Sequence, residues 1–349
     1  MIIYGLGSNG SGQLGISHKD DVSSPTILPL PPSLRQQEIV NIAAGGNHTL
    51  FHFSSGIYAA GCNDDGRCAF GAAVRESTTL QPVVIPRSSA SVLFCAATWS
   101  ASIFVTDDGS VLSCGSGVAG ELGLRAGRTT SPTPEVVMSL ADLDVAVTQL
   151  SASMAHVVMV LSDGSVLAWG NGKLGQMGDP AQVVWSPRKI EVPFPVVRAA
   201  CGKDFTCFLS DPARGEIIVI GLNKRDRFSI QSSIPRKFYS WRQVVASWGT
   251  IFVQDKSNRL QSFGRNDRGQ LGPAGLPILA RIAAGSEHAL AETADGRTIV
   301  WGWGEHGNCG SPVDEQRDVK HRFNVLEITG NVVALGAGCA TSFVVTDGD

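Results

Sequence analysis

The residues of this chain best suited to chemistry are three histidines in related contexts, eight cysteines and several paired acids. Imidazole is the side chain that titrates near neutral pH and the commonest metal ligand. Thiolates bind zinc or act as nucleophiles. His48 and His288 close the phrases Ala43-Ala-Gly-Gly-Asn-His48 and Ala283-Ala-Gly-Ser-Glu-His288, and His156 holds the same place in a weaker copy. Further copies put Ala101, Phe205, Thr250 and Thr341 there. A catalytic or metal-binding histidine is needed once, in company. Histidines at equivalent positions of a repeat are carried to different units, so these three read as packing residues with one ring nitrogen bonded to a neighbouring backbone.

The cysteines (Cys62, Cys68, Cys95, Cys114, Cys201, Cys207, Cys309 and Cys339) include no Cys-x-x-Cys pair, and the closest spacings, Cys62/Cys68 and Cys201/Cys207, do not fit a zinc site. They read as reduced, buried small hydrophobes. Asp64/Asp65, Asp107/Asp108 and Asp142/Asp144 could serve as acid–base pairs, but Asp107-Asp-Gly109 and Asp163-Gly164 are turn sequences. The mixed-charge stretch 314–322 reads as a solvated surface loop. No catalytic residue, cofactor site or metal site is expected.

A second, Gly-rich phrase interleaves with the first. Gly7-Ser-Asn-Gly-Ser-Gly-Gln-Leu-Gly15, Gly264-Arg-Asn-Asp-Arg-Gly-Gln-Leu-Gly272 and Gly302-Trp-Gly-Glu-His-Gly-Asn-Cys-Gly310 are the clearest copies, with weaker ones starting at Gly61, Gly115, Gly170 and Gly221. The starts lie 54, 54, 55, 51, 43 and 38 residues apart. These phrases lack the Lys-Ser/Thr of a phosphate loop, and no helical pattern follows them. A turn repeated seven times is structural, with Gln and Leu expected to tie it to the next unit. Between the phrases run short apolar segments split by polar turns, as in Val157–Leu161, Ser162-Asp-Gly-Ser165 and Val166–Trp169, which read as β-hairpins.

Four-stranded units with a period of 40 to 50 residues make a β-propeller. The chain is therefore expected to be all-β, a single seven-bladed propeller over residues 1–349. The N-terminal strand Ile2–Leu6 should close the ring by completing the last blade, which otherwise lacks one. The formal charge of −3 and pI near 6.2 offer no basic arm for nucleic acid, and no apolar run approaches a membrane span. No secretory leader is evident, so the expected setting is the cytoplasm, and the nucleus as well.

The position just before each His-type residue should lie on one face of the ring. It holds Gly46-Asn47, Trp99-Ser100, Met154-Ala155, Lys203-Asp204, Trp248-Gly249, Ser286-Glu287 and Cys339-Ala340. Aromatic anchors beside charges are typical of binding surfaces. Trp99, Met154, Lys203, Asp204, Trp248 and Glu287 are therefore candidate partner contacts, although the tryptophans could instead cap the cores of their own blades. Trp303, Glu305 and His306 exceed what their Gly phrase requires and join the candidates. Trp301 matches Trp169 and should be core.

The paired phrases Gly-x-Asn-x-x-Gly-Gln-Leu-Gly and Ala-x-Gly-x-x-His-x-Leu resemble the repeat of the regulator of chromosome condensation family of seven-bladed propellers. The fifth Gly phrase, Gly221–Phe228, loses the Gln-Leu-Gly, and the second ends Arg67-Cys-Ala, so irregular turns are expected there. Tyr4-Gly-Leu-Gly-Ser-Asn9, Gly45-Gly-Asn-His48, Trp301–Gly310 and Gly338-Cys-Ala-Thr341 are similar to the fungal killer-toxin-insensitivity branch. That resemblance implies a non-catalytic heterodimer partner of a small acidic four-cysteine zinc protein. Through that protein the branch serves diphthamide synthesis on elongation factor 2 and Elongator-dependent modification of wobble uridine in tRNA. The alternative within the family is a guanine nucleotide exchange factor for a Ran-type GTPase. An enzyme housed in the propeller channel would need convergent polar groups, whereas the inner positions Ala43, Ala44, Ala283 and Ala284 are small and apolar.

Overall fold

The computed structural model describes residues 1–71, 73–86, 90–222 and 226–348. Seven antiparallel sheets radiate from a central channel, five of four strands and two of three. Their inner strands touch in a closed ring: Ile39–Ala44, Val92–Ala97, Val147–Ala152, Arg198–Cys201, Trp241–Ala246, Leu279–Ala284 and Val332–Ala337, which returns to the first. The second strand of each blade is the most buried; His48–Phe53, Ala101–Thr106, His156–Leu161 and Thr341–Thr346 are buried at every residue. Sheets packed face to face bury both sides of these strands, which therefore read as continuous apolar runs.

The ring closes as expected in principle, but by two strands. The last blade has the order Val22–Ile27, Ile2–Gly7, Thr341–Thr346, Val332–Ala337, so the N-terminus supplies both outer strands. Ile2–Gly7 pairs with the C-terminal strand from Ile2↔Thr346 to Gly7↔Thr341. The first Gly phrase thereby belongs to the seventh blade.

Two blades depart from the four-strand pattern. In the fourth, a short helical excursion and the single bridge Glu216↔Lys237 stand in for the outer strand. In the fifth, Leu260–Gly264 is the last strand, and the chain passes from the Gly phrase straight to Leu279–Ala284. These are the units whose repeats shrink to 43 and 38 residues. Of the irregular fifth phrase, residues 223–225 lie outside the described residues. Beyond them Phe228 has a φ of 69° and Ser229 one of 54°. The stretch 314–322 is only in part a loop; Asp318–Leu326 is an outer strand, and Asp318 is buried against Arg268 and Lys320.

The repeated phrases hold the blades in register. The first Gly of each Gly phrase has a φ near +110°, 113° at Gly7 and 103° at Gly302. A Cβ on Gly7 would sit 2.1 Å from the Ala340 carbonyl oxygen, so only Gly lets the third strand pass the loop before the His-type position. The phrase Asn folds the turn on itself: Asn9 Oδ1 accepts from Leu14 N at 3.0 Å, and Asn266 Oδ1 from Leu271 N at 3.1 Å. The phrase Gln also closes its own turn, Gln13 Oε1 accepting from Ser11 N at 2.9 Å, while the buried Leu14 packs into the core shared with Phe51 and Phe53 of the next blade. In this copy Leu makes the tie to the next blade, whereas in Gly264–Gly272 the phrase Gln does so as well, Gln270 Nε2 donating to Glu287 of the next blade at 2.7 Å. Trp169 and Trp301 are fully buried, and each donates its indole N–H to the preceding blade, to the Glu121 carbonyl at 2.9 Å and the Gln270 carbonyl at 3.0 Å.

Candidate partner-binding face

The three repeat histidines are structural. His48, His156 and His288 are buried, and their Nε2 atoms lie 3.0, 3.0 and 2.9 Å from Ser102 Oγ, Thr206 Oγ1 and Ser342 Oγ of the next blade. Each hydroxyl in turn donates to a phrase carbonyl, Arg67 at 2.6 Å, Gln176 at 2.7 Å and Asn308 at 2.9 Å. A hydroxyl that has given its proton to a carbonyl can only accept from the ring, so Nε2 carries the imidazole proton. The bond to the neighbouring backbone therefore runs through a hydroxyl rather than directly. Burial pushes the pKa down to about 3 for His48 and about 4 for His156 and His288, so the rings are neutral. The rings stack on loop glycines: a Cβ on Gly45 or Gly285 would lie 2.4 or 2.2 Å from the imidazole. Phe205 fills the same place over Gly202.

Six of the eight cysteines are buried free thiols. Burial pushes the Cys95 and Cys201 thiols up to about 12 and raises Cys68, Cys114, Cys207 and Cys309 as well. Among the described residues no group of three His, Cys, Asp or Glu side chains is placed to hold a metal ion.

The loops before the His-type positions do converge on one face, at the mouth of the channel. Backbone bonds link them blade to blade: Gly46 N to Trp99 O, Trp99 N to Met154 O, Lys203 N to Trp248 O, Trp248 N to Ser286 O and Ser286 N to Gly338 O, each 2.9 to 3.0 Å. Below them the channel narrows to the last residue of every inner strand: Ala44, Ala97, Ala152, Cys201, Ala246, Ala284 and Ala337. Seven strands meet there, and only small side chains fit.

Trp99 and Trp248, from the second and fifth blades, reach across this mouth and meet, with ring centroids 6.0 Å apart and planes tilted by 42°. Neither belongs to a blade core. Trp99 is 38% exposed, Trp248 half-buried, and Met154 shares the mouth with both. Lys203, exposed, holds its Nζ 5.0 Å from the Trp248 ring centre, within cation–π range. The half-buried Asp204 follows it.

Glu287 does not fit the role of a free contact. It is 8% exposed, and its carboxylate accepts from Gln270 Nε2 at 2.7 Å and pairs with Arg265. It locks the sixth blade to the fifth. The residue missed in sequence is Arg265, which also pairs with Asp267 at 2.6 Å and lies 5.3 Å from the Phe228 ring. Nothing in its Gly phrase sets Arg265 apart from other variable positions.

The Gly-phrase loops lie on the same face, farther from the axis. Trp303 is half-buried, donates Nε1–H to Glu305 Oε2 at 3.1 Å and meets His306 edge to face at 5.4 Å, with Arg268 5.8 Å from its ring centre. His306 Nδ1 lies 2.8 Å from Asp21 Oδ2 of the seventh blade, and Glu305 is exposed. Trp303, Glu305 and His306 thus form one cluster. Trp303 N donates to the Glu287 carbonyl at 2.9 Å, Glu287 pairs with Arg265, and Arg265 N bonds to Gly249 O beside Trp248, giving a band from the channel mouth to the rim.

The repeat grammar and this closed ring agree with comparison to known proteins. The RCC1-like domain model matches residues 2–344. The chain belongs to the RCC1-like domain family. An RCC1 repeat-containing protein of Schizosaccharomyces pombe is 29% identical over 99% of both chains. The mouse secretion-regulating guanine nucleotide exchange factor is 27% identical over 88% of this chain and 75% of its own length. In structure, Prp20p of Saccharomyces cerevisiae superposes with a TM-score of 0.83 over 98% of this RCC1-like propeller and 90% of Prp20p, at 22% identity, a likeness of fold alone.

Proposed function

We propose that this RCC1-like propeller is a non-catalytic partner of a small acidic four-cysteine zinc protein. In this reading the heterodimer serves diphthamide synthesis on elongation factor 2 and Elongator-dependent tRNA wobble-uridine modification, in the cytoplasm and nucleus. The observation that carries the reading is the Trp99–Trp248 pair with Lys203 beside it. Two indoles held together at an exposed channel mouth fill no blade core, and a lysine beside them suits an acidic partner. The Trp303–His306 cluster extends the surface on the same face. The ring of six alanines and Cys201 at the inner-strand ends, which holds no acid, base or cation, supports binding rather than catalysis.

The test is calorimetric titration of the zinc protein into wild type and variants, with circular dichroism as a check of folding. Truncating a buried interface aromatic costs ~2 kcal/mol or more, about thirtyfold in affinity. Trp248→Ala and Trp303→Ala should each weaken the complex at least about tenfold. Lys203→Glu should slow association, most at low ionic strength. Normal binding by all three variants would move the interface off this face.

Exchange on a Ran-type GTPase is the rival reading, favoured by the matches to an exchange factor and to Prp20p, whose structure is described with its binding to Gsp1p and histones. Absence of zinc-protein binding together with accelerated nucleotide release from such a GTPase would install it.

A further inference from the structure

The fifth blade ends in an uncovered strand. In five blades an outer strand pairs with the third one. In the fourth, Gln231 Nε2 donates to the Val219 and Gly221 carbonyls, and Ile217 N and Phe238 N make backbone bonds to Arg236 and Gly215. Leu260–Gly264 has no such cover among the described residues. The consequence shows in burial: the corresponding strands Ser110–Ser116 and Thr298–Trp303 are buried at five residues each, whereas Leu260–Gly264 has none.

The register identifies the free groups. Arg265 N bonds to Gly249 O and Asp255 N to Arg259 O, so the odd-numbered residues of this strand face the second strand of the blade. Leu260 and Ser262 turn their N–H and C=O outward. In the sixth blade the equivalent residues, Thr298 and Val300, pair with Leu326 and Asn324 of the outer strand.

The sequence that flanks this edge is basic. Residues 226–268 carry Arg227, Arg236, Lys237, Arg242, Lys256, Arg259, Arg265 and Arg268 against Asp226, Asp255 and Asp267, in a chain of net charge −3. Arg227, Arg236, Lys237, Lys256 and Arg259 are exposed and form no ion pair among the described residues. Asp226 and Asp255 are engaged in capping backbone N–H groups. Arg259 directly precedes the edge, and the short helical segment bearing Arg227 packs against it.

We infer that this edge accepts an extended acidic peptide segment, which adds antiparallel to Leu260–Gly264 as the missing fourth strand of the fifth blade. Main-chain bonds at Leu260 and Ser262 would supply register, and the unpaired cations would select for Asp and Glu. The same cations repel a second copy of this edge, so the strand stays open without self-pairing. The inference stands independently of the zinc-protein reading, which concerns the loop face.

The probe is a seven-residue peptide alternating Glu and Val, titrated at low and at physiological salt into the full chain. A Lys-Val peptide and a Glu-Val peptide N-methylated at alternate residues are the comparisons. Expected are saturable binding of the Glu-Val peptide and hydrogen-exchange protection of the Leu260 and Ser262 amides. Binding should weaken at least tenfold on N-methylation, the Lys-Val peptide should not bind, and R259E should weaken the Glu-Val complex. S262P, which removes an outward N–H, should do the same where circular dichroism shows it folded. Equal binding of the N-methylated peptide would overturn the inference, leaving only charge attraction, as would saturation without protection of the two amides. Failure of the Glu-Val peptide to bind at low salt would also overturn it.

Discussion

The neutral repeat histidines make the propeller acid-sensitive in a defined window. Each has a folded-state pKa near 3 or 4 against 6.5 when exposed, so below pH 6.5 the unfolded chain binds protons that the folded chain refuses. Their stabilisation is complete above pH 6.5 and is lost as pH falls toward the folded values. For one such histidine, going from pH 7 to pH 5 removes about 1.8 kcal/mol, since each tenfold change in proton affinity is worth about 1.4 kcal/mol and the unfolded ring titrates over most of that interval. Three remove about 5 kcal/mol, a large part of a typical folding free energy of roughly 5 to 15 kcal/mol. His52, also lowered by burial, adds in the same direction. The lowered carboxylates, Asp267 at about 2 among them, titrate mainly below this interval when unfolded. Glu121, raised by burial, acts in the opposite direction, so the comparison of variant with wild type is what isolates the imidazole. The perturbation is His156→Phe, a ring the chain itself places over Gly202 as Phe205. It loses the bond to Thr206, and at pH 7 it should cost about 1 kcal/mol. Between pH 7 and 5 it should lose about 1.8 kcal/mol less stability than wild type. Urea unfolding followed by tryptophan fluorescence at pH 7, 6 and 5 measures this. An unchanged pH dependence in His156→Phe would refute the assignment of neutral, proton-refusing histidines.

Deleting residues 1–8 removes the strand that pairs with both Val22–Ile27 and Thr341–Thr346, and with it the buried side chains of Ile3, Tyr4 and Leu6, at a cost of roughly 6 kcal/mol. Calorimetry should show a melting temperature lower by many degrees, and a change of only a degree or two would contradict closure by the N-terminus. Gly46→Ala places a methyl 2.8 Å from the Trp99 indole, so it should displace that ring while the fold persists. Near-ultraviolet circular dichroism of the Trp99–Trp248 pair should change in this variant and stay unaltered in Gly10→Ala, where nothing lies within 4 Å of the added methyl.

What the sequence determined by itself is whatever every blade must solve in the same way. The seven-fold grammar, the turn glycines and the His-type register could be read without coordinates, because one steric problem recurs at each blade junction and leaves the same residues each time. The shared face of the loop residues also follows, since a repeated geometry sends equivalent positions to one side. The shrinking of the period to 43 and 38 residues carried the loss of two outer strands, although only the sheets tell which strands are missing. Tertiary structure decided what no repeat encodes. Trp99 and Trp248 meet across the channel because blades distant in sequence face each other around a ring. Glu287 turns inward because Arg265 and Gln270 of another blade await it. The N-terminus contributes two strands because the first Gly phrase must lie between them, inside the last blade. Such outcomes depend on side chains brought together by closure of the ring, and spacing along the chain holds no record of them.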